Sequence, residues 1–457
     1  MWKTSLVLLL AGITLGAEAS PAPAPRQVKK ALDAFVSGGT FPGYAAILIT
    51  PSGNTTLTAG GLSTTEITGI ASVTKVLTTL ALADLVREGK LLVDAPVSSV
   101  IPEASALPRW ENRRITLRDL ATHTSALPAG QAESFTGLAS WYSPRVWRIF
   151  FRRLVLRQNS GMLGGVTWDD IFAFLSRARL SRAPGTRFEY SNIGMGLLGH
   201  AVAVRAGTTY EEAVLARVCR PLGMNKTSLL LPPGTPQPRV QIDLGPLAGA
   251  GGLHSNAEDL AILVRAALGM GTPPALAEDF AITFKPQGKD ADGRPLMLGW
   301  QVDGKSGRLY HAGLTNVFIG IDRRTKVGVV LIVGAGYQGI ENLGLEILEA
   351  LSGGRPDFPR PRLAVELPPA ILSRYAGAWR LDGESWVKIS VQGKALKALF
   401  MKGKKRGGIA VLWPENERWF FCRDWDCTAE FAPPSGAKPA SVAFKMYSWT
   451  GIYLREH

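Results

Sequence analysis

Two strand-patterned segments lie at opposite ends of a long helical stretch, and that order limits the folds open to the chain. "YAAILITPSGNTTLTAGG" (44–61) reads as two strands joined at the turn-rich "PSGN". Far downstream, "LGWQVDGKSGRLYHAG" (298–313) and "NVFIGIDRRTKVGVVLIVG" (316–334) read as successive antiparallel strands with polar turns. From 72 to about 270 the pattern is mainly helical. "RQVKKALDAFVSGG" brings Val28, Ala31, Leu32, Phe35 and Val36 to one helical side, and "GIENLGLEILEALSGG" reads as a closing helix. The economical architecture is α+β: one antiparallel sheet built from both ends, backed by terminal helices, with a helical lobe inserted. Clefts between such lobes are common places for small-molecule sites.

The chain has 457 residues, which suggests two domains, and 46% hydrophobic content gives enough apolar mass for a core. "GGRPDFPRPRLAVELPPA" marks a boundary. Beyond it "GAWRL", "SWVKISVQG", "IAVLW", "RWFFCRD" and "SVAFKMYSW" recur at strand-like spacing, as in a small β-barrel or sandwich. At the other end, Lys3, the apolar "SLVLLLAGITLG" and "AEA" have the form of an export signal cleaved after Ala19. The expected organisation is a signal peptide over 1–19, a Pro-rich tether over 20–27 and a main domain over 28–353. A linker over 354–368 and an all-β domain over 369–457 follow. Cys422 and Cys427 suit either a loop-closing disulfide in an oxidising compartment or two reduced thiols. Export turns the formal charge of +14 away from nucleic acid, towards anionic envelope polymers, a membrane surface or simple solubility.

Ser-x-x-Lys occurs three times: Ser72/Lys75, Ser385/Lys388 and Ser435/Lys438. Ser385 lies in a strand pattern, where residues three apart point to opposite faces. Ser435 lies in the proline-rich "PPSGAKP". Only Ser72 opens a helix, and on a helix residues i and i+3 share a face. A helix N-terminus also supplies partial positive charge and unpaired N–H groups close to Ser72.

With "ASVTK" go "ITLRDLATHTSALP", "APGTRFEYSNIGMGLLGHAV", "RPLGMNKTSL", "AGGLHSNAEDLA" and "YHAGLTN", in that order. Together they resemble the serine β-lactamase/penicillin-binding-protein superfamily over residues 28–350. The likeness points to its class C-like branch of esterases, D-aminopeptidases and D-alanyl-D-alanine carboxypeptidases. The resemblance implies Ser72 as acylated nucleophile, with Lys75 and Tyr190 as its proton-transfer partners. Asn192 would bond Lys75 and the substrate, and His311-Ala312-Gly313 would be the strand lining the cleft. Leu314 would give an oxyanion N–H beside that of Ser72. "KSG" (305–307) also fits the last motif, but "DGKSG" is turn-like and places Lys305 at a hairpin tip. Gly313 would let substrate approach the strand closely. Ala126 stands where the branch usually has glycine, and His123 beside it reads as structural. Ser255 and Glu258 in "SNAE" form a capping box.

A serine hydroxyl needs a base, and an ordinary lysine, protonated at neutral pH, is not one until burial lowers its pKa. Either Lys75 as free amine or Tyr190 as phenolate fits that role. The implied reaction is acyl transfer through acyl-Ser72 on esters, amides or D-amino-acid peptides, with no cofactor and no metal. Histidine at 311 lacks the fixed charge that lysine would offer a substrate carboxylate, so β-lactamase activity should be weak or absent. Competing functions are a catalytically silent envelope-binding protein and an acyltransferase. "WYSPRVWRIFFRRLVLR" (141–157) sets Trp147, Phe150, Phe151 and Leu154 against Arg145, Arg148 and Arg152, as in a lid, a membrane-surface helix or a helix packed in the core.

Overall fold

The computed structural model describes residues 24–128 and 166–456, apart from 232, 233, 237, 239–241, 292, 314, 315, 338, 404, 424–426, 433–438, 447 and 448. Helix α1 (Ala24–Ser37) buries Val28, Leu32 and Phe35, one helical stripe. It takes in the last four residues of the expected tether, because Pro25 is tolerated in a first turn, where its missing N–H has no intrahelical partner to lose. The export signal, the rest of the tether and the 141–157 segment lie outside the described residues.

One sheet contains β1 (Tyr44–Thr50), β2 (Gly53–Ala59), β3 (Gln301–Val302), β4 (Leu309–Gly313), β5 (Val317–Asp322) and β6 (Val327–Val333). Its order is β2-β1-β6-β5-β4-β3, with every pairing antiparallel. Tyr44 faces Val333 across the β1–β6 ladder, so the two ends of the segment meet in the sheet. The inserted lobe contributes α2 (Thr74–Arg87), α3 (Asn192–Ala206) and α4 (Ala257–Ala267), and α5 (Ile340–Leu351) closes the segment. Successive strand residues alternate between two cores. Ala46, Leu48, Phe318, Val329 and Leu331 share one core with residues of α1 and α5, while Ile47, Ile49, Ile319, Val330 and Ile332 share the other with the lobe. Burial on both faces is why β1 and β6 read as unbroken apolar runs.

Buried Arg308, just ahead of β4, ties α5 to the sheet. It bonds Asp322 at 3.1 Å and Glu349 of α5 at 2.7 Å, while Ser352 donates to Asp322 at 3.0 Å.

The C-terminal strands are β7 (Gly377–Arg380), β8 (Ser385–Gln392), β9 (Ala395–Lys402) and β10 (Lys405–Pro414), then β11 (Trp419–Cys422), β12 (Cys427–Phe431), β13 (Ser441–Met446) and β14 (Trp449–Arg455). They close into an eight-stranded barrel in which β7 joins β14 to β8. Trp379, Phe420, Phe431 and Phe444 are buried in its interior. Cys422 and Cys427 also belong to this core, as buried thiols without a disulfide between them. The linker is anchored to the main domain by Arg362, whose N–H donates to Thr40 Oγ1 at 3.1 Å and whose carbonyl accepts from it at 3.3 Å.

Candidate active site

Ser72 occupies a 3-10 turn, Ala71–Val73, that runs directly into α2. Ala71, just before it, is left-handed at φ +45°. Lys75 lies one turn along, is 0% exposed, and places Nζ 3.0 Å from Ser72 Oγ. The same amine reaches Asn192 Oδ1 at 2.9 Å and the Ala250 carbonyl at 2.5 Å. From the opposite side the Tyr190 hydroxyl donates to Ser72 Oγ at 2.6 Å. Lys75 Nζ also lies 4.7 Å from the centre of the Tyr190 ring.

The tripeptide Tyr190-Ser191-Asn192 divides these tasks at a helix start. Ser191 is the N-cap of α3, and its hydroxyl accepts from Gly194 N–H at 3.0 Å. Tyr190 is therefore outside the helix and free to turn to Ser72, while Asn192 is its first residue and reaches Lys75. His123 holds the junction. Its Nδ1 accepts from the Ser191 N–H at 3.1 Å, which puts the ring hydrogen on Nε2, and the ring stacks 4.5 Å from that of Tyr190. The structural part read for His123 in the sequence becomes the positioning of Tyr190.

The Ala250 carbonyl was not foreseen. It ends the 3-10 segment Gly245–Ala250, which packs on α3 at a crossing of two glycines. A Cβ on Gly199 would come 2.9 Å from Gly249 Cα, so only bare backbone lets that carbonyl reach the amine.

His311 and Gly313 lie on β4. His311 is 2% exposed, and its Nδ1–H donates to the Ala312 carbonyl at 3.0 Å. Gly313 has a packing role that the sequence did not suggest. A Cβ there would stand 2.2 Å from the Ile70 carbonyl, so glycine admits the segment that precedes Ser72. Leu314 lies outside the described residues. Lys305 is exposed at the β3–β4 turn, as the sequence suggested. The expected capping box fails. Ser255 pairs in a short ladder with Thr68, which moves the N-cap of α4 to Asn256, whose side chain accepts from Asp259 N–H. Glu258 instead accepts from Thr64 Oγ1. Ser385 and Lys388 fall on β8, and Ser435 and Lys438 lie outside the described residues.

Burial lowers the Lys75 pKa well below that of an ordinary lysine. Burial also raises the Tyr190 phenol above its usual value, against the hydrogen bond to Ser72 and with the nearby charge of Glu341 acting in the same upward sense. His311 is pushed down to about 3, by burial first and then by Lys75. At neutral pH the site therefore holds an un-ionised phenol and a neutral imidazole, and burial favours the free amine of Lys75 over its charged form. Beside His311 is a small pocket of about 120 Å³ lined by His123, Phe188, Trp300 and Tyr310.

The beta-lactamase family model matches residues 28–343. The chain belongs to the beta-lactamase family. A D-alanyl-D-alanine-carboxypeptidase/endopeptidase, AmpH of Escherichia coli (strain K12), is 33% identical over 159 residues, 35% of this chain and 36% of that protein. Esterase EstB of Burkholderia gladioli is 34% identical over 157 residues, 34% of this chain and 36% of the esterase. The chain thus spans little more than a third of either relative. An octameric penicillin-binding protein homologue from Pyrococcus abyssi superposes with a TM-score of 0.58 at 21% identity, covering 94% of this chain and 99% of that one. A class C beta lactamase from Rhodobacter sphaeroides gives 0.56 at 21% identity, covering 71% and 97%. These two likenesses establish the fold shared across the beta-lactamase family.

Proposed function

We propose that the protein is an exported serine hydrolase that cleaves esters, amides or D-amino-acid peptides through acyl-Ser72, with weak or absent β-lactamase activity. One observation carries the reading: Ser72 Oγ is held between the Tyr190 hydroxyl at 2.6 Å and a fully buried Lys75 amine at 3.0 Å. A neutral amine has two hydrogens and one lone pair. Asn192 Oδ1 and the Ala250 carbonyl can only accept, so they take the two hydrogens and the lone pair is left facing Ser72. This count favours Lys75 over Tyr190 as the base.

In the first step Ser72 Oγ attacks the carbonyl carbon and its proton passes to Lys75. The Ser72 N–H supports the resulting oxyanion. The bond to the leaving oxygen or nitrogen then breaks, with Tyr190 donating its proton to that atom and recovering one from Lys75. Water attacks the acyl-Ser72 ester in the second step, releasing the acid and regenerating the hydroxyl. Neutral His311 offers a substrate carboxylate no charge, which supports the expectation of poor β-lactam turnover. The names of AmpH and EstB support peptide and ester substrates respectively.

The test is labelling by a fluorophosphonate probe, with turnover of p-nitrophenyl esters and D-alanyl-D-alanine peptides compared against Ser72→Ala. Label and turnover should both vanish in the variant, and labelling that persists would overturn the assignment. Nitrocefin turnover as fast as ester turnover would refute the β-lactamase clause. Export rests on Lys3 and the apolar run to Gly16. N-terminal sequencing of the mature protein should begin at Ser20, and a chain retaining Met1 in the cell would argue against cleavage.

A further inference from the structure

Lys75 and Thr78 stand three residues apart on one face of α2, and each holds a carbonyl of the same crossing segment. Lys75 Nζ donates to the Ala250 carbonyl at 2.5 Å, and Thr78 Oγ1 donates to the Gly249 carbonyl at 2.8 Å. Thr74, beside them, accepts from the Leu253 N–H at 3.3 Å. The carbonyl that meets the amine therefore follows directly on the one that Thr78 holds.

Thr78 has one hydroxyl hydrogen and three hydrogen-bonding neighbours among the described residues. Gly249 at 2.8 Å and Thr74 at 3.1 Å offer carbonyls, which only accept. The third is the Tyr210 hydroxyl at 2.8 Å, the one neighbour with a hydrogen to give. Tyr210 therefore donates to Thr78, and burial raises the phenol's pKa, which keeps that hydrogen in place. Tyr210 opens a short helix, Tyr210–Val214, whose N-cap Thr209 accepts from the Glu212 N–H at 3.2 Å. Its ring packs on Gly199 of α3, where a Cβ would stand 3.1 Å from the ring's Cδ2 and 2.9 Å from Gly249 Cα. The same bare position thus admits both the ring and the segment. Without the Tyr210 hydroxyl, the Thr78 hydrogen is free to turn to the Thr74 carbonyl, inside its own helix, and to let Gly249 go.

We propose that Tyr210, acting through Thr78, is a positioning residue for the reaction: the chain from the Tyr210 hydroxyl through the Thr78 hydroxyl to the Gly249 carbonyl holds the next carbonyl, that of Ala250, against the Lys75 amine. The proposal rests on the reading of Lys75 as the base in acyl transfer. Tyr210 acts at two removes from the amine and takes no part in bond-making. A loosened carbonyl lets the amine swing, so its lone pair faces Ser72 for less of the time and proton transfer slows. A carbonyl also accepts more strongly from an ammonium than from an amine, so loosening it disfavours the charged form and lowers the Lys75 pKa further. The titratable groups around the amine, Tyr190, His123 and His311, are held in their neutral forms by burial, so the acid limb of the rate profile reports Lys75.

Two measurements on the full-length protein test this. The first is the pH profile of p-nitrophenyl ester turnover. Tyr210→Phe and Thr78→Val should each lower kcat by about ten- to a hundredfold, leave KM within about twofold and move the acid limb to lower pH. Thr78→Ser keeps the hydroxyl and should keep most of the rate, and the double variant should be no slower than the slower single one. Folded variants with an unchanged kcat, or with a limb that stays put or rises, overturn the proposal. The second follows the Lys75 side chain itself, by NMR titration of isotope-labelled lysine in Ser72→Ala protein with and without Tyr210→Phe, the signal being assigned by its loss in Lys75→Met. Tyr210→Phe should lower the measured pKa, and an unchanged titration refutes the positioning; Thr78→Val takes its place if Tyr210→Phe does not fold. Turnover with an unmoved Lys75 titration sinks the positioning and leaves the hydrolase. A titration that moves in a protein without turnover does the reverse.

Discussion

The Tyr190 hydroxyl donates to Ser72 Oγ across 2.6 Å while the buried Lys75 amine lies 3.0 Å from the same oxygen. Two groups on one oxygen have separable roles, and the first prediction separates them. Tyr190→Phe removes the proton donor to the leaving group but leaves the amine in place. It should lower kcat by about 10²–10⁴ with little change in KM, and most strongly for amides, whose leaving groups need the proton. Pre-steady-state kinetics with an ester and its matching anilide measure this, and an equal loss on both would contradict the role.

The Lys75 pKa is lowered by burial, so the free amine persists to a lower pH than in an ordinary lysine. A reaction that needs the free amine therefore rises with pH through the lowered pKa and is flat above it. The kcat/KM profile should show a single acid limb lying well below the ordinary lysine value of 10.5. Tyr190, raised above an ordinary phenol, should add no alkaline limb at neutral to mildly basic pH. Lys75→Arg, charged at every accessible pH, should abolish turnover, and a plateau reached only near pH 10 would show that the amine is not held neutral.

The strand–nucleophile contact at Gly313 gives a third outcome. In Gly313→Ala the new methyl would meet the Ile70 carbonyl at 2.2 Å, a backbone atom that cannot swing aside. Overpacking of this kind costs about 1–3 kcal/mol, and here the displaced segment leads straight into Ser72. Urea unfolding should show the loss, and fluorophosphonate labelling should slow as well. Unchanged labelling with lost stability would separate the strand from the site.

Ala126 has φ +58°, the conformation in which the side-chain carbon is penalised. Glycine removes an αL penalty of about 1–2 kcal/mol and restores about 0.5–1 kcal/mol of unfolded-state freedom. Ala126→Gly should therefore stabilise the protein by roughly 0.5–1 kcal/mol in urea unfolding, and a loss of stability would show that the strain is relieved elsewhere.

This residue also shows how sequence and structure divide the information. The departure from glycine at 126 is visible in "HTSA", but the left-handed backbone that makes glycine usual there is not. Ser72 and Lys75 are legible because a helix start fixes their directions locally, whereas Tyr190 and Asn192 are legible through the resemblance of "YSN" to the family motif. The Ala250 carbonyl is illegible, because every residue carries the same group and only tertiary packing selects one. The capping box at Ser255 failed because pairing with Thr68, far away in sequence, claimed the serine for a strand.

The central pairing of β1 with β6 joins residues 44–49 to residues 328–333. Synthesis at roughly 5–20 residues per second leaves the β1–β2 hairpin waiting tens of seconds for its neighbour to be made. Throughout that interval the apolar "YAAILI" edge stands open, a template for pairing with another nascent chain. Production of this protein should therefore be governed less by the stability of the finished sheet than by what shields one strand until the other arrives.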